Sequence, residues 1–385
     1  MANLNALVST NVAKRAKYEA LKVFESTDVS RQSAVDCSQQ VLNEKLLYDV
    51  NKKELFHSVG GADQQKALTD SHLLNISRRV PFVLMNSHAE KTNKAYSRIF
   101  GLWKKWCILH GIKIFLPADP YKVSLFMIEL SSNAKSAATA KMVLPALTWA
   151  HRVAGLKSPL DLQYLRDISN GLQREFSKPR SPKLPLLASD LLKLIQNTNF
   201  ESLSESRTMN MIILAYSAFL RFDELSKVKR SDLIFHDTHL ELKVRSSKTD
   251  QFRQGDSVLL AKTGTLGCPV QNLQKYLTQV NIKESDDCFI FRNITNHNTL
   301  RPKNVPIKYT VLRELVLKKF ESIGLDKSKF GIHSLRAGGA TQVANSDIPD
   351  RLFMRHGRWA SQKSKDSYVA DDVKHRLLVS LNLGI

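Results

Sequence analysis

The chain has little that would tie it to an oxidising compartment, a bilayer or a nucleoside triphosphate. Its four cysteines, Cys37, Cys107, Cys268 and Cys288, are scattered, and none forms a C-x-x-C pair. That spacing gives neither a disulfide framework nor a thiolate metal site, and free thiols in a reducing compartment are expected. The longest apolar run, Met211 to Leu220, is too short to span a bilayer. Residues Met1 to Lys17 are polar and lack the apolar core of a signal peptide, so an intracellular protein is expected. No G-x-x-x-x-G-K-[ST] loop is present, which argues against an ATP-driven motor. Acidic residues are also scarce, 36 against 57 Lys and Arg, for a formal net charge of +21. Such an excess points to a polyanionic partner, most often nucleic acid. A membrane surface ranks lower, because no basic amphipathic helix adjoins a lipidation motif.

What is present suits a soluble chain of more than one domain. It has 385 residues, 43% of them hydrophobic and 24% charged. Residues 1–77 are read as an N-terminal extension of unknown role, with a helix-forming stretch at Asn11 to Phe24. Residues 78–177 read as a helical domain. Ser87 and Glu90 fit a capping box, and Tyr96, Ile99, Phe100, Trp103, Trp106 and Cys107 follow at helical spacing. Asp119-Pro120 opens a second helix. A third runs from Ser136 to Ala154, with Pro145 expected to kink it. Ser158-Pro159 opens a fourth that reaches Phe176.

Residues 178–188, with three prolines among Lys178, Arg180 and Lys183, form a basic linker. Its cations are candidate duplex contacts, because cations near a duplex release counterions. Residues 189–385 read as a mostly helical α+β domain with a small antiparallel sheet. Ser189 caps its first helix, and one long helix covers Thr208 to Val228. Strands follow at Leu233 to Ser246 and Ser257 to Leu260, and helices start near Val270, Tyr309 and Ile332.

The chemistry lies in six spaced residues: Arg221, Lys248, His333, Arg336, Trp359 and Tyr368. Arginine forks grip phosphate oxygens in pairs. Lysine and histidine move protons, and a tyrosine hydroxyl can attack phosphorus and hold the product covalently. Arg221 and Glu224 are expected on one helical face, as are His333 and Arg336. The small residues after Arg336 let another backbone approach closely. Lys248 falls where one strand turns back toward the next. Each feature alone is ordinary, since surface ion pairs, turn lysines and core tryptophans are common.

Taken together they resemble the tyrosine recombinase, or phage-type integrase, family. Members carry an arginine with an acid three residues on, a hairpin lysine, H-x-x-R, a histidine or tryptophan, and a late nucleophilic tyrosine. The intervals from Arg336 to Trp359 and from Trp359 to Tyr368 fit the family register, which favours Trp359 over His356. The usual L-G-H is replaced by Arg355-His356-Gly357-Arg358-Trp359, which is nearer to Cre-like members. The overall style resembles recombinases of eukaryotic mobile elements of Crypton or DIRS type.

The resemblance implies a helical core-binding domain ahead of a catalytic domain. It also implies strand exchange through a 3′-phosphotyrosine without metal, ATP or other cofactor. The partners it implies are double-stranded DNA and a homotetramer on two DNA sites, a dimer at each, with no membrane and no small-molecule substrate. A nuclear location is expected if the host is eukaryotic. It further implies that Arg221 and Arg336 clamp the phosphate, His333 and Trp359 add hydrogen bonds, and Glu224 orients. Lys248 would protonate the leaving 5′ hydroxyl and Tyr368 would attack. A type IB topoisomerase-like enzyme and a catalytically idle DNA-binding relative are the alternatives.

Overall fold

The computed structural model describes residues 68–384, apart from residues 86, 180, 246–254, 347 and 372. The helix expected at Asn11 to Phe24, the linker residue Arg180 and the candidate acid Lys248 lie outside the described residues. The chain divides into two compact units between Pro179 and Arg180.

The first unit is helical: α1 (Ser71–Ser77), α2 (Val80–Met85), α3 (Glu90–Leu109), α4 (Pro120–Ala134), α5 (Ala137–Val153) and α6 (Gln163–Glu175). The periodic residues of α3 make its core. Ile99, Phe100, Trp103 and Cys107 are buried, and Trp103 meets Trp106 and Phe126 at ring separations of 5.5 and 5.4 Å. Asp119 caps α4 by accepting from the Lys122 N–H at 2.9 Å, with Pro120 in the first turn. The helix α5 continues through Pro145.

Two helix starts differ from the sequence expectation. No Ser87–Glu90 capping box forms, because α3 opens at Glu90 with Ala89 before it. Glu90 then lies in the first turn, where its charge suits the helix dipole, and pairs with Lys94 at 2.7 Å. The helix α6 opens at Gln163 rather than Pro159. Ser158 Oγ accepts from Leu160 N–H at 3.3 Å, and the chain first turns Leu160 into the core.

The second unit contains α7 (Ala188–Gln196), α8 (Leu203–Ser217), α9 (Phe222–Ser226), a 3₁₀ turn at Arg230–Asp232, and strands β1 (Leu233–Phe235), β2 (His239–Val244) and β3 (Asp256–Ala261). Then come α10 (Pro269–Gln279), α11 (Tyr309–Ser322), α12 (His333–Ala344), α13 (Asp350–Gly357), α14 (Gln362–Asp366) and α15 (Val373–Leu381). The sheet is antiparallel in the order β1-β2-β3, with Leu242 opposite both Leu233 and Val258. Leu240, Leu242, Val244, Val258 and Leu260 are buried, so alternation places one face on the core.

The single strand expected from Leu233 to Ser246 is two strands. The His236 N–H donates to the His239 carbonyl at 2.9 Å and closes a turn over Asp237-Thr238. Ser189 is not a cap, since α7 begins one residue earlier. The proposed linker is also shorter than expected at its far end. The Leu184 and Leu186 N–H groups donate to the Lys329 and Ser334 carbonyls at 2.8 and 2.9 Å, and Lys183 Nζ donates to the Ser328 carbonyl. The residues from Lys183 onward are thus held against the second unit.

Candidate active site

The site begins where α8 stops. The long helix expected over Thr208 to Val228 breaks at Phe219, whose backbone is left-handed (φ 49°). The Leu220 N–H reaches back to the Ala215 carbonyl at 3.1 Å, the closing bond of a Schellman cap, with phenylalanine where glycine is usual. Arg221 is therefore not on a helical face. It is extended and caps α9. Glu224 still meets it, through a different geometry: Oε2 accepts from the Arg221 backbone N–H at 2.9 Å, and Oε1 accepts from Arg221 Nη1 at 2.8 Å.

The reversal leaves the last carbonyls of α8 facing a set of donors. His356 Nε2 donates to the Ser217 carbonyl at 2.8 Å. Arg358 Nη1 donates to Ala218 at 3.2 Å, and its Nη2 donates to Phe219 at 3.1 Å. Arg336 Nη1 also donates to the Phe219 carbonyl. Cations belong at a helix C-terminus, where unpaired carbonyls carry partial negative charge.

Arg336 is fully buried. Its Nη2 donates to the Gly357 carbonyl at 2.8 Å. Its guanidinium carbon lies 5.1 Å from the Trp359 ring centre and 4.7 Å from that of Tyr368, within cation–π range. Two glycines bring it there. A Cβ on Gly338 would stand 2.1 Å from the Leu186 carbonyl oxygen, and one on Gly339 would stand 2.1 Å from that of Tyr216. No side chain fits in either gap: at Gly339 α12 lies backbone-to-backbone on α8, and at Gly338 it lies against the Leu186 main chain just before α7, as the small residues after Arg336 predict. His333 opens the same helix but is exposed, so its surroundings differ from those of Arg336.

Trp359 is buried against Phe353 and Phe219, and its Nε1 has no hydrogen-bond partner. Tyr368 is half-buried beside it, ring to ring at 5.9 Å. Thr341 Oγ1 fixes the chain beyond by accepting from the Ala370 N–H at 3.1 Å. Lys365, buried three residues before Tyr368, pairs with Asp350 and lies over the Phe353 ring.

The electrostatics follow from one carboxylate among three arginines. Burial pushes the Glu224 carboxyl up, but Arg358 and then Arg221 outweigh it and hold Glu224 below the usual range, ionised. Burial pulls Arg221 down, and Glu224, with a smaller contribution from Tyr368, more than offsets this and raises it. Arg336 is pulled down to about 10, by burial first and then by Arg221, and remains cationic at neutral pH. Burial lowers His356, which favours its neutral form.

The structure thus brings together Arg221, Glu224, Arg336, Trp359 and Tyr368, and places His333 on the helix that carries Arg336. The strands before and after residues 246–254 pair antiparallel, ending at Val244 opposite Asp256. Of the linker cations, Lys178 is exposed and Lys183 is engaged by Ser328. Sequence reasoning missed Arg358. Its only signal is a cation beside Trp359, because spacing does not reveal the left-handed backbone (φ 54°) that holds it. Among the described residues, no group of three or more His, Cys, Asp and Glu side chains is arranged to hold a metal ion. Nor is any described helix long and apolar enough to cross a membrane.

Comparison with known proteins gives a consistent set. The phage integrase family matches residues 186–375. The integrase/recombinase XerD homolog of Selenomonas ruminantium is 30% identical over 291 residues, covering 74% of this chain and 83% of that protein. Recombinase Cre of Escherichia phage P1 is 20% identical over 294 residues, 73% of this chain and 84% of its own. In fold, the chain is similar to the XerH site-specific recombinase bound to a palindromic difH substrate in a post-cleavage complex. The TM-score is 0.58 at 15% identity, covering 88% of this chain and 95% of that one. It is also similar to the Tn1549 transposon integrase in complex with transposon right end DNA, with a TM-score of 0.50 at 14% identity over 77% and 93% of the two chains.

Proposed function

The chain belongs to the phage integrase family and is a tyrosine-type site-specific recombinase, and from that premise we propose how its residues divide the work on DNA. The observation that carries the reading is the contact of the Arg336 guanidinium with both the Trp359 and the Tyr368 rings, with Arg221 tied to the same carboxylate. A nucleophile in contact with a buried cation clamp is what phosphoryl transfer requires.

In this reading Arg221 and Arg336 hold the non-bridging oxygens of the scissile phosphate and offset the charge of the pentacoordinate transition state. The unpartnered Trp359 Nε1 donates to a phosphate oxygen; an indole N–H cannot carry a proton through the reaction. His333, exposed at the start of α12, adds a hydrogen bond and accepts the Tyr368 proton. The Tyr368 oxygen bonds to phosphorus as the bond to the 5′ oxygen breaks, and Lys248 protonates that leaving group. Attack by another 5′ hydroxyl reverses the linkage. One phosphodiester replaces another, so the cycle consumes no ATP and uses no metal.

The first unit serves as the core-binding domain, and Lys178, Arg180 and Lys183 contact the duplex. Synapsis is tetrameric, with a dimer on each of two sites. The helix α15 leaves Leu377, Leu378 and Leu381 exposed. An apolar groove of about 560 Å³, lined by Leu191, Leu192, Ile348, Leu352 and Phe353, is the surface we assign to α15 of a neighbouring protomer. A mobile-element setting agrees with the likeness to a transposon integrase, and the protein acts where DNA is, in the nucleus if its host is eukaryotic.

Covalent capture tests the assignment. A nicked suicide substrate with no divalent metal should give an SDS-resistant adduct. Tyr368→Phe should bind DNA and give none, and a full-strength adduct from that variant overturns the reading. Relaxation of supercoiled DNA lacking any recombination site would instead favour a topoisomerase-like enzyme. Deleting residues 373–385 should preserve single-site binding and abolish synaptic complexes.

A further inference from the structure

Three arginines converge on Glu224, and a phosphate clamp accounts for two of them. The third, Arg358, is buried, with its side chain 3% exposed. Its Nη2 donates to Glu224 Oε2 at 3.1 Å and to the Phe219 carbonyl at 3.1 Å. Its Nη1 donates to the Ala218 carbonyl at 3.2 Å and to the His356 carbonyl at 3.0 Å. Arg336 Nη1 stands farther from the same Glu224 oxygen, at 3.7 Å, and shares the Phe219 carbonyl with Arg358. Two cations therefore compete for one carboxylate oxygen and one carbonyl, and Arg358 holds the shorter contact to the carboxylate.

The backbone is bent to put Arg358 there. It takes the left-handed conformation (φ 54°) immediately after Gly357, a costly choice for a residue with a Cβ. Glycine is not free to move into that position from 357, because a Cβ at residue 357 would stand 2.0 Å from the Trp359 ring. The reversal lies between the Gly357 carbonyl, which holds Arg336, and Trp359, which covers it.

We infer that Arg358 is a positioning residue: it occupies Oε2 of Glu224 and the terminal carbonyls of α8, so that Arg336 keeps its charge for the DNA phosphate rather than for Glu224. This rests on the strand-transfer reading above and adds to it a reason for the third arginine. Stripped of Arg358, Glu224 Oε2 keeps only the Arg221 backbone N–H and draws in the next cation, since an undercompensated buried charge is costly. Without Arg358 that next cation is Arg336, already 3.7 Å away. Its guanidinium would be neutralised and shifted just where a sub-ångström placement matters.

The test is a cycle of variants in the full chain, read by single-turnover adduct formation on the suicide substrate and by DNA affinity. Arg358→Met is expected to slow adduct formation about 100-fold, the scale of losing one aligned transition-state donor, with affinity little changed. Adding Glu224→Gln to Arg358→Met removes the carboxylate that captures Arg336 and should recover about 10-fold of the loss. A scaffolding role predicts the reverse, a double variant slower than either single one. Arg358→Lys keeps the cation and should stay within about 10-fold of the parent, and it provides the readout if the methionine variant does not fold.

Adduct formation by Arg358→Met within about threefold of the parent overturns the inference. So does a folded Arg358→Lys that has lost as much as expected of Arg358→Met, or a double variant with no recovery. Failure of the parent protein to form any adduct sinks the strand-transfer reading itself, and this inference with it.

Discussion

Each unit of the protein holds a histidine hydrogen-bonded to a helix carbonyl, and the two show how differently the units are built. His151 is fully buried in the first unit; its Nε2 accepts from the Ala118 N–H at 3.0 Å, so its Nδ1 must donate to the Leu147 carbonyl at 2.7 Å. The core of that unit, which includes Trp149, Val123 and Leu147, is a cluster of apolar contacts. His356 is half-buried in the second unit, and its neighbours are Arg358, the Phe219 ring and the Ser217 carbonyl of α8. The first interior depends on volume and area removed from water. The second depends on donors meeting acceptors at set distances, and it leaves Trp359 Nε1, Arg336 Nε and Arg358 Nε without partners. Unpaired buried polar atoms are expensive. The first unit leaves Trp149 Nε1 and Ser131 Oγ unpaired as well, so what distinguishes the second is placement: the Trp359 and Arg336 side chains that carry two of these atoms lie against the Tyr368 ring.

The contrast can be broken from either side. The largest effect is expected for Arg336→Ala, which should reduce adduct formation at least about 10³-fold. It should also cost about 3–5 kcal/mol in denaturant unfolding, since Glu224 and two carbonyls lose a buried cation. Trp103→Ala should cost a similar ~3–5 kcal/mol through its cavity. Yet adduct formation per folded molecule should remain near that of the parent. A comparable loss of chemistry would mean that the first interior tunes the site.

Gly339→Ala is next, at about 1–3 kcal/mol from forced separation of α12 from α8. Slower adduct formation should accompany it while duplex affinity holds, as measured by single-turnover kinetics and gel shift.

The smallest effect is with pH. Burial lowers the pKa of both His151 and His356 below the ordinary 6.5. The unfolded chain therefore binds more protons than the folded one as the pH falls below that value. Their contribution is intact above about 6.5 and is lost progressively toward more acid pH. Urea midpoints taken across this window should fall on acidification, and His151→Gln should flatten the slope. A midpoint that rises on acidification would contradict the neutral, carbonyl-bonded forms of both rings.

Much of this was legible in the chain. Asp119-Pro120 marks a helix start by local chemistry alone, and the periodic residues of α3 face the core as their spacing requires. Of the spaced set, Arg221, Arg336, Trp359 and Tyr368 are brought together by the fold although they are far apart in the chain. What escaped depends on partners distant in sequence. The break at Phe219 joins a helix of excellent propensity to a cap that only Arg336, Arg358 and His356 make worthwhile, more than a hundred residues later. Arg358 reads as one cation among 57 Lys and Arg until its backbone is known. The turn at Asp237-Thr238 and the late start of α6 were lost for a simpler reason: an apolar run does not say where it bends.

Gly339 of α12 sets a limit on how the site can change. The separation between the α8 terminus, where Arg221 begins, and the helix bearing Arg336 is fixed by main-chain atoms in contact. Elsewhere a mutation can lengthen or trim a side chain and let a helix drift. Here there is no side chain to lengthen or trim, so the two arginines are spaced by a mechanical stop rather than an adjustable packing layer. Sequence drift around the site can alter which DNA arrives and how well it is held. It cannot readily alter the width of the jaw that closes on it.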